Sequence, residues 1–358
     1  MPFGVIGIAL YICYKVWKTF GVKPGIIWAL LSGLIIFWWV AVPRIFEINT
    51  PRAFSIIGYL FLPFTVFLFV LIIIASLVSF TLWCFLRVKF DEKNKFLFMI
   101  IVAAAMVCYG YYEAKDVRTR EISVPADKLP ENVQAIRIVQ ISDLHIGRDF
   151  DPDRLVKVIK IVDAAAPDLI VLTGDIVDRG MMSEDYYIEK LSSMKARLGR
   201  FAVTGNHELY SGVDRAVGFM RRAGYIVLRS EWRDIGPLVI AGVDDKGGWV
   251  FSEQYDGYDL LSTLPEDARR KFVLFLKHRP QVHPGSIGLF DLQLSGHTHG
   301  GQIWPLVYLT NHLHGIKQGL SVFEGGALYV SNGTGHWGPP IRFFTPPEVT
   351  IINVVRAQ

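Results

Sequence analysis

From residue 54 to residue 86 the chain carries no charged side chain. A segment of that kind has no polar face to turn toward water, so it fits a bilayer better than the flank of a soluble domain. Three more apolar runs share the first third of the sequence, at 3–17, 26–42 and 96–112. The first is short and ends in Lys15 and Lys18, whereas Trp38 and Trp39, and Tyr109, Tyr111 and Tyr112, close the second and the last. Aromatic ends of this sort suit the interfacial belt. A spanning helix needs about 20 apolar residues, so residues 1–112 are expected to form a transmembrane region of about four helices. The start of the chain has no basic segment before its first apolar run, and no small-x-small site follows it, so a cleaved signal peptide is not expected.

Basic residues orient the expected helices. Lys15, Lys18, Lys23, Arg87, Lys89, Lys93 and Lys95 fall on one side, and Arg44 and Arg52 on the other. Positive charge prefers the cytoplasm, which places the rest of the chain outside it, as an integral membrane protein with an extracytoplasmic domain. Lys115, Arg118 and Arg120 compete with that assignment.

Residues 113–133 read as a polar linker, with a short strand possible at 121–124, and residues 134–358 as a globular domain. All nine histidines lie in that last part, and the three cysteines (Cys13, Cys84 and Cys108) all lie in apolar runs. That distribution excludes a disulfide framework for the domain and points to imidazole chemistry there. A net charge of +4 gives no reason to expect nucleic acid. The apolar runs hold almost no ionisable residue, which disfavours a transporter.

Apolar strands alternate with amphipathic helices through the domain. Strands are predicted at 135–141, 168–172, 201–203, 272–276, 290–294, 327–330 and 349–355, and a helix at 153–165. The fold class is therefore α/β, with helices outside. Five clusters follow strands in order: Asp143-Leu144-His145, Gly174-Asp175 through Asp178-Arg179-Gly180, Gly205-Asn206-His207-Glu208, His278, and Gly296-His297-Thr298-His299. Ligand sites in α/β proteins lie at the carboxyl ends of strands. Alternate residues of an extended chain point the same way, so Asp143 with His145, and His297 with His299, can each aim two side chains at one place. Carboxylate, amide and imidazole donors suit borderline divalent ions, manganese foremost and iron or zinc as alternatives, better than calcium. Two such ions held close together need a shared ligand, for which a carboxylate is suited. A lone Asp-x-His, or a lone Gly-Asn-His at a helix cap, would mean little. Five clusters in order, each closing a strand, have no purely structural explanation.

The ordered signature Asp-x-His, Gly-Asp-x-x-Asp, Gly-Asn-His-Glu, His and Gly-His-x-His resembles that of the calcineurin-like metallophosphoesterases, over residues 135–355. His299-Gly-Gly-Gln-Ile and Pro346-Pro347-Glu348-Val349-Thr350 are most similar to the membrane-attached, YaeI/YkuE-like branch, some of whose relatives hydrolyse UDP-2,3-diacylglucosamine. The resemblance implies a two-sheet αββα sandwich and two divalent metal ions. It implies one ion on Asp143, His145, Asp175 and His299, and the other on Asp175, Asn206, His278 and His297. It further implies in-line attack on phosphorus by a metal-bridging hydroxide, with His207 as proton donor to the leaving oxygen and Asp178 orienting it. Arg179 stands where the protein-phosphatase branch contacts phosphate.

Several residues carry two readings. Asp178 could also cap a helix. Glu208 reads as a local hydrogen-bonding group, and Asp244 and Asp245 as turn residues. His283, His312 and His314 have no motif around them and are expected at the surface or the rim. The loop from Asn332 to Arg342 either binds phosphate or leaving group through His336 and Arg342, or is simply a Gly-Pro turn. Trp232, Trp249 and Phe251 line either the core or an apolar rim. The expected activity is hydrolysis of a phosphate or pyrophosphate ester in a lipid or lipid-linked substrate at the bilayer. The alternatives are a tethered phosphatase or phosphodiesterase for soluble substrates, and a metal-binding signalling protein without turnover.

Overall fold

The computed structural model describes residues 2–21, 52–247 and 257–357. It divides into two compact units, Met1–Tyr112 with Gly338–Ile341, and Glu113–Trp337 with Arg342–Gln358.

The described part of the first unit is helical, with α1 at Pro2–Phe20, α2 at Arg52–Leu86 and α3 at Glu92–Glu113. Among the described residues, two segments are long and apolar enough to cross a membrane, Tyr59–Leu86 and Glu92–Glu113. The sequence led us to expect four. The run at 3–17 does form α1, which is not one of the candidate spans. The run at 26–42 lies outside the described residues. Phe80, Phe85, Phe98 and Ile101 turn outward from α2 and α3. Large exposed apolar side chains along such helices suit contact with lipid.

The second unit is built on two six-stranded sheets. The first has the order β1-β12-β2-β3-β4-β5, with β1 at Arg118–Ala126, β12 at Glu348–Arg356, β2 at Ala135–Ile141, β3 at Leu169–Thr173, β4 at Arg200–Val203 and β5 at Ile226–Val227. The second has the order β10-β11-β9-β8-β7-β6, from β10 at Gly319–Phe323 and β11 at Gly326–Val330 to β9 at Leu292–Ser295, β8 at Phe272–Leu276, β7 at Leu238–Gly242 and β6 at Glu231–Asp234. β1 falls inside the stretch read as a linker and pairs in parallel with β12 along its whole length. It is longer than the short strand expected because its outer half is exposed and lacks an apolar pattern to mark it.

The period of two in the strands creates the layers. In β3, Leu169 and Val171 join the apolar layer between the sheets, while Ile170 and Leu172 face the opposite way. There they meet Leu155, Val158 and Val162 of α4 (Pro152–Ala165), a helix begun by Asp151 as N-cap and by Pro152. In β8, Phe272, Leu274 and Leu276 join the middle layer, and Val273 and Phe275 pack beneath Leu261, Leu264 and Ala268. The result is helix, sheet, sheet, helix. β2, β3 and β4 run parallel in one sheet and β7, β8, β9 and β11 in the other, so their carboxyl ends gather along two edges. Trp232 packs against the outer layer of the second sheet, and Trp249 and Phe251 lie outside the described residues.

Phe201 of β4 is buried in the middle layer. Phe201→Ala is expected to lower stability by about 3–5 kcal/mol, read as a lower denaturation midpoint of the full chain in guanidinium chloride. A shift too small to measure would show that the two sheets do not share this core.

Candidate metal centre

Asp143 and His145 leave the end of β2, Asp175 leaves β3, and Asn206 and His207 leave β4 and open the short helix α5 (Asn206–Tyr210). His278 follows β8, and His297 and His299 follow β9. The structure brings the aspartates and histidines together. Asp143, His145 and His299 form one group whose ligand atoms lie within 4.8 Å of one another, Asp175, His278 and His297 a second, and His145, Asp175 and His207 a third.

Asp175 sits at the centre. Its Oδ1 accepts the His207 backbone N–H at 2.8 Å. Its Oδ2 lies 3.1 Å from His278 Nε2 and 3.9 Å from His145 Nε2. One carboxylate oxygen therefore fixes the loop and the other faces donors on two sides. Asp143 accepts the His297 backbone N–H and is held by the Ser142 hydroxyl at 2.5 Å. His278 Nδ1 lies 2.8 Å from the Thr173 carbonyl. Donation to that carbonyl turns Nε2 toward Asp175 Oδ2, the orientation usual for an imidazole that ligates a metal once this nitrogen has given up its proton.

The donors fit two cations. His145 Nε2 lies 3.1 Å from His299 Nε2, and His297 Nδ1 lies 3.2 Å from His278 Nε2. Two lone pairs facing each other at that distance repel unless a proton or a cation lies between them. Asn206 Oδ1 is buried with no hydrogen-bond partner, an arrangement that costs free energy unless a ligand satisfies it. The backbone shows the same bias. Asp143, His145, Asp175, His297 and His299 all have φ between 51° and 71°. The left-handed region costs a non-glycine residue about 1–3 kcal/mol and persists at sites where surrounding structure enforces it.

Glu208 supplies part of that enforcement. Its fully buried carboxylate accepts the backbone N–H groups of Gly205, Asp175, Ile176 and Val177 at 2.7–2.9 Å. Two glycines permit the approach. A Cβ at Gly205 would strike the Asp175 carboxylate, and one at Gly174 (φ +86°) would strike the His278 ring.

Burial and charge set the proton affinities. Burial pushes His297 and His299 well down, helped by His278 beside the first and Arg342 beside the second. Burial opposes charge on His278 too, but Asp175, then Asp143 and Asp245, outweigh it and raise the ring to about 10. Burial pushes the Asp143 carboxyl up, whereas Asp175 is held well below the usual carboxylate range by His278, His207 and His145 despite its burial. His207 Nδ1 stands 3.2 Å from Asp178 Oδ1, off the line of an ideal hydrogen bond, and Asp178 Oδ2 lies 3.5 Å from His145 Nδ1. Against its own burial, His207 is raised to about 8 by Asp178 and the charge of Asp175.

Three expected substrate contacts are placed differently. Arg179 is exposed, and its Nε donates to the Tyr210 carbonyl at 2.6 Å. His336 is half-buried in the loop after β11. Arg342 has no exposed surface, and it donates to the carbonyls of His299 at 2.7 Å and Gly335 at 2.6 Å. Its guanidinium is spent on binding these loops to one another. The sequence offered one signal for this, an arginine amid glycines and prolines, and it was equally compatible with phosphate binding. His314 was expected at the rim and is there, its ring 5.5 Å from that of His297. His283 accepts a local backbone N–H, and His312 is exposed. Asp245 pairs with Arg279 at 2.7 Å, and Asp244 with Arg229 at 2.8 Å.

The model of the family described as calcineurin-like phosphoesterase matches residues 136–301, which hold every residue of this centre. An uncharacterized metallophosphoesterase of Aquifex aeolicus is 37% identical over 266 residues, covering 71% of this chain and 98% of that protein. This chain belongs to the calcineurin-like metallophosphoesterase family. It is therefore a metal-dependent phosphoester hydrolase. The uncharacterized metallophosphoesterase YkuE of Bacillus subtilis is 30% identical, with 73% of this chain and 95% of that one covered. A Danio rerio transmembrane protein with metallophosphoesterase domain is 29% identical, with coverages of 72% and 62%. That relative and the two apolar spans together point to membrane association of this chain.

Glu208→Gln turns one acceptor oxygen into an N–H donor facing backbone N–H groups. The variant is expected to keep its secondary structure by circular dichroism but to bind manganese at least about tenfold more weakly, a loss comparable to removing support behind a metal ligand. Unchanged metal affinity by calorimetry would mean that the β3 and β4 loops hold their shape without this carboxylate.

Proposed function

We propose that the chain is a membrane-anchored phosphoesterase that uses two divalent ions on a phosphate or pyrophosphate ester at the membrane surface. The observation that carries this reading is Asp175 Oδ2, a carboxylate oxygen with imidazole donors on two sides. Asp143, His145, Asp175 and His299 would hold one ion, and Asp175, Asn206, His278 and His297 the other. Manganese fits this mixed oxygen and nitrogen set, as do iron and zinc. When bound, such a pair lowers the pKa of water and offsets charge developing on the phosphoryl group.

The protein's own groups do the rest. Asp178 and the charge of Asp175 keep a proton on His207 near neutral pH. Because Nδ1 faces Asp178, the remaining nitrogen, Nε2, delivers the proton to the leaving oxygen. Arg179 and His336 contact the phosphate or the leaving group from the rim. Arg342 contacts neither and serves by holding the loops that carry His299 and Gly335.

The spans preceding the domain support a lipid or lipid-linked substrate, of which a UDP-2,3-diacylglucosamine-type molecule is one candidate. The basic residues Arg87 and Lys89 between α2 and α3, with Lys93 and Lys95 in the first turn of α3, support an integral membrane protein with an extracytoplasmic domain. Residues 1–112 would form the membrane region and 134–358 the hydrolase domain, with β1, inside the connecting stretch 113–133, joining the first sheet of that domain. Profiling the purified full chain with manganese on lipid phosphates, UDP-diacylglucosamine and generic phosphodiesters tests the substrate class. Turnover of soluble esters alone would remove the lipid.

His207→Ala is expected to retain metal and to lose about 10²–10⁴-fold in turnover of esters with poor leaving groups. A nitrophenyl ester, whose leaving group needs no proton, should lose much less. Equal losses on the two would take the proton-donor role from His207. A reporter active only outside the cytoplasm should work when fused after Gln358 and be silent when fused near Asp91. The opposite pattern would put the domain in the cytoplasm, beside nucleotide-linked lipid precursors.

A further inference from the structure

His207 has two aromatic neighbours, Tyr210 from its own helix α5 and Trp337 from the distant loop after β11. The Tyr210 ring lies 5.3 Å from the imidazole at 66°, and the Trp337 ring 6.5 Å away at 79°. Neither ring is buried, since Tyr210 is 48% exposed and Trp337 56% exposed. Core packing therefore does not account for their positions.

Their backbones are nevertheless pinned. Arg179 Nε donates to the Tyr210 carbonyl at 2.6 Å. Gln302 grips Trp337 from both sides, its Oε1 accepting the Trp337 N–H and its Nε2 donating to the Trp337 carbonyl, each at 2.9 Å. A large apolar ring held in place and left open to solvent gains from burial only when something is laid against it. Both rings lie beside the imidazole that the proposed function makes the proton donor to the leaving oxygen. A group attached to that oxygen must then pass within reach of them.

We propose that Tyr210 and Trp337 form an aromatic subsite for the leaving group, selecting esters whose leaving alcohol carries a planar ring, such as an aryl or nucleoside group. The proposal rests on the hydrolase reading for the side on which the leaving group lies. A planar ring stacks on either face with little loss of conformational freedom, and a short alkyl alcohol offers no such face.

The test compares two phosphodiesters whose leaving alcohols are matched in acidity, one a substituted phenol and the other a fluoroalkyl alcohol. The full chain, loaded with manganese, is assayed as wild type, Trp337→Ala, Trp337→Phe and Tyr210→Ala. In kcat/KM, each alanine variant is expected to lose about tenfold more on the aryl ester than on the alkyl ester, within the range that stacking on one aromatic side chain carries. Trp337→Phe should recover most of the difference. Equal losses on both esters, or none on either, would overturn the subsite. The same four proteins are titrated calorimetrically with phenylphosphonate and methylphosphonate, a readout independent of turnover. Tighter wild-type binding of phenylphosphonate, reduced in the alanine variants, supports the subsite even if neither ester is hydrolysed, a result that would instead remove the hydrolase reading. Equal wild-type affinity for the two phosphonates overturns the subsite.

Discussion

One buried carboxylate fastens the two loops on which this centre depends. Glu208 collects backbone N–H groups from the β3 loop and the β4 loop at once. Burial and the charge of Asp175 push its carboxyl up, and hydrogen bonds from the backbone work in the opposite sense. Hydrogen bonds to a charged acceptor contribute about 1.5–3 kcal/mol each. That is enough to offset the left-handed backbone at Asp175, which alone costs about 1–3 kcal/mol. With the loops so fixed, Asp175 Oδ1 takes the His207 N–H and Oδ2 is left for ligands. Arg342 makes the corresponding tie on the other sheet's side, between the loops of His299 and Gly335.

These ties also explain what the sequence showed and what it hid. The α/β class was legible because strands such as β3 and β8 are apolar on both faces and are bounded by glycine-bearing clusters, whereas the two-sheet αββα layering came only from what the family resemblance implied. The meeting of Asp143, His145, Asp175, His278, His297 and His299 was legible because each follows the end of a strand. Their assignment to two separate ions still rests on the reading proposed above. Strand β1 was only partly visible, since it gains order by pairing with β12, more than 200 residues away in the chain. β10 and the exposed helix Leu306–His314 were not visible, because no side chain of that helix is buried and no amphipathic pattern marks it. Of the four expected spans, the run at 3–17 forms a helix that is not among the candidate spans of the described residues, and the run at 26–42 lies outside those residues.

The buried guanidinium of Arg342 shows why residue type alone misassigns a role. An arginine near a phosphate-handling centre reads as an anion contact, yet every donor of this one that meets a partner meets the protein itself. Arg342 only donates, so its 3.1 Å contact with His299 Nδ1 competes with any tautomer in which that nitrogen carries the proton. Cation binding at His299 Nε2 would therefore be felt at Arg342.

The proposed function requires that Asp175 be shared between two ions. Manganese titration of the metal-free full chain, followed by electron paramagnetic resonance, reads that sharing directly. The account predicts two equivalents bound per chain, with an exchange-coupled spectrum appearing as the second equivalent fills and collapsing in Asp175→Asn. A single bound equivalent, or two with uncoupled spectra in the wild type, would contradict it.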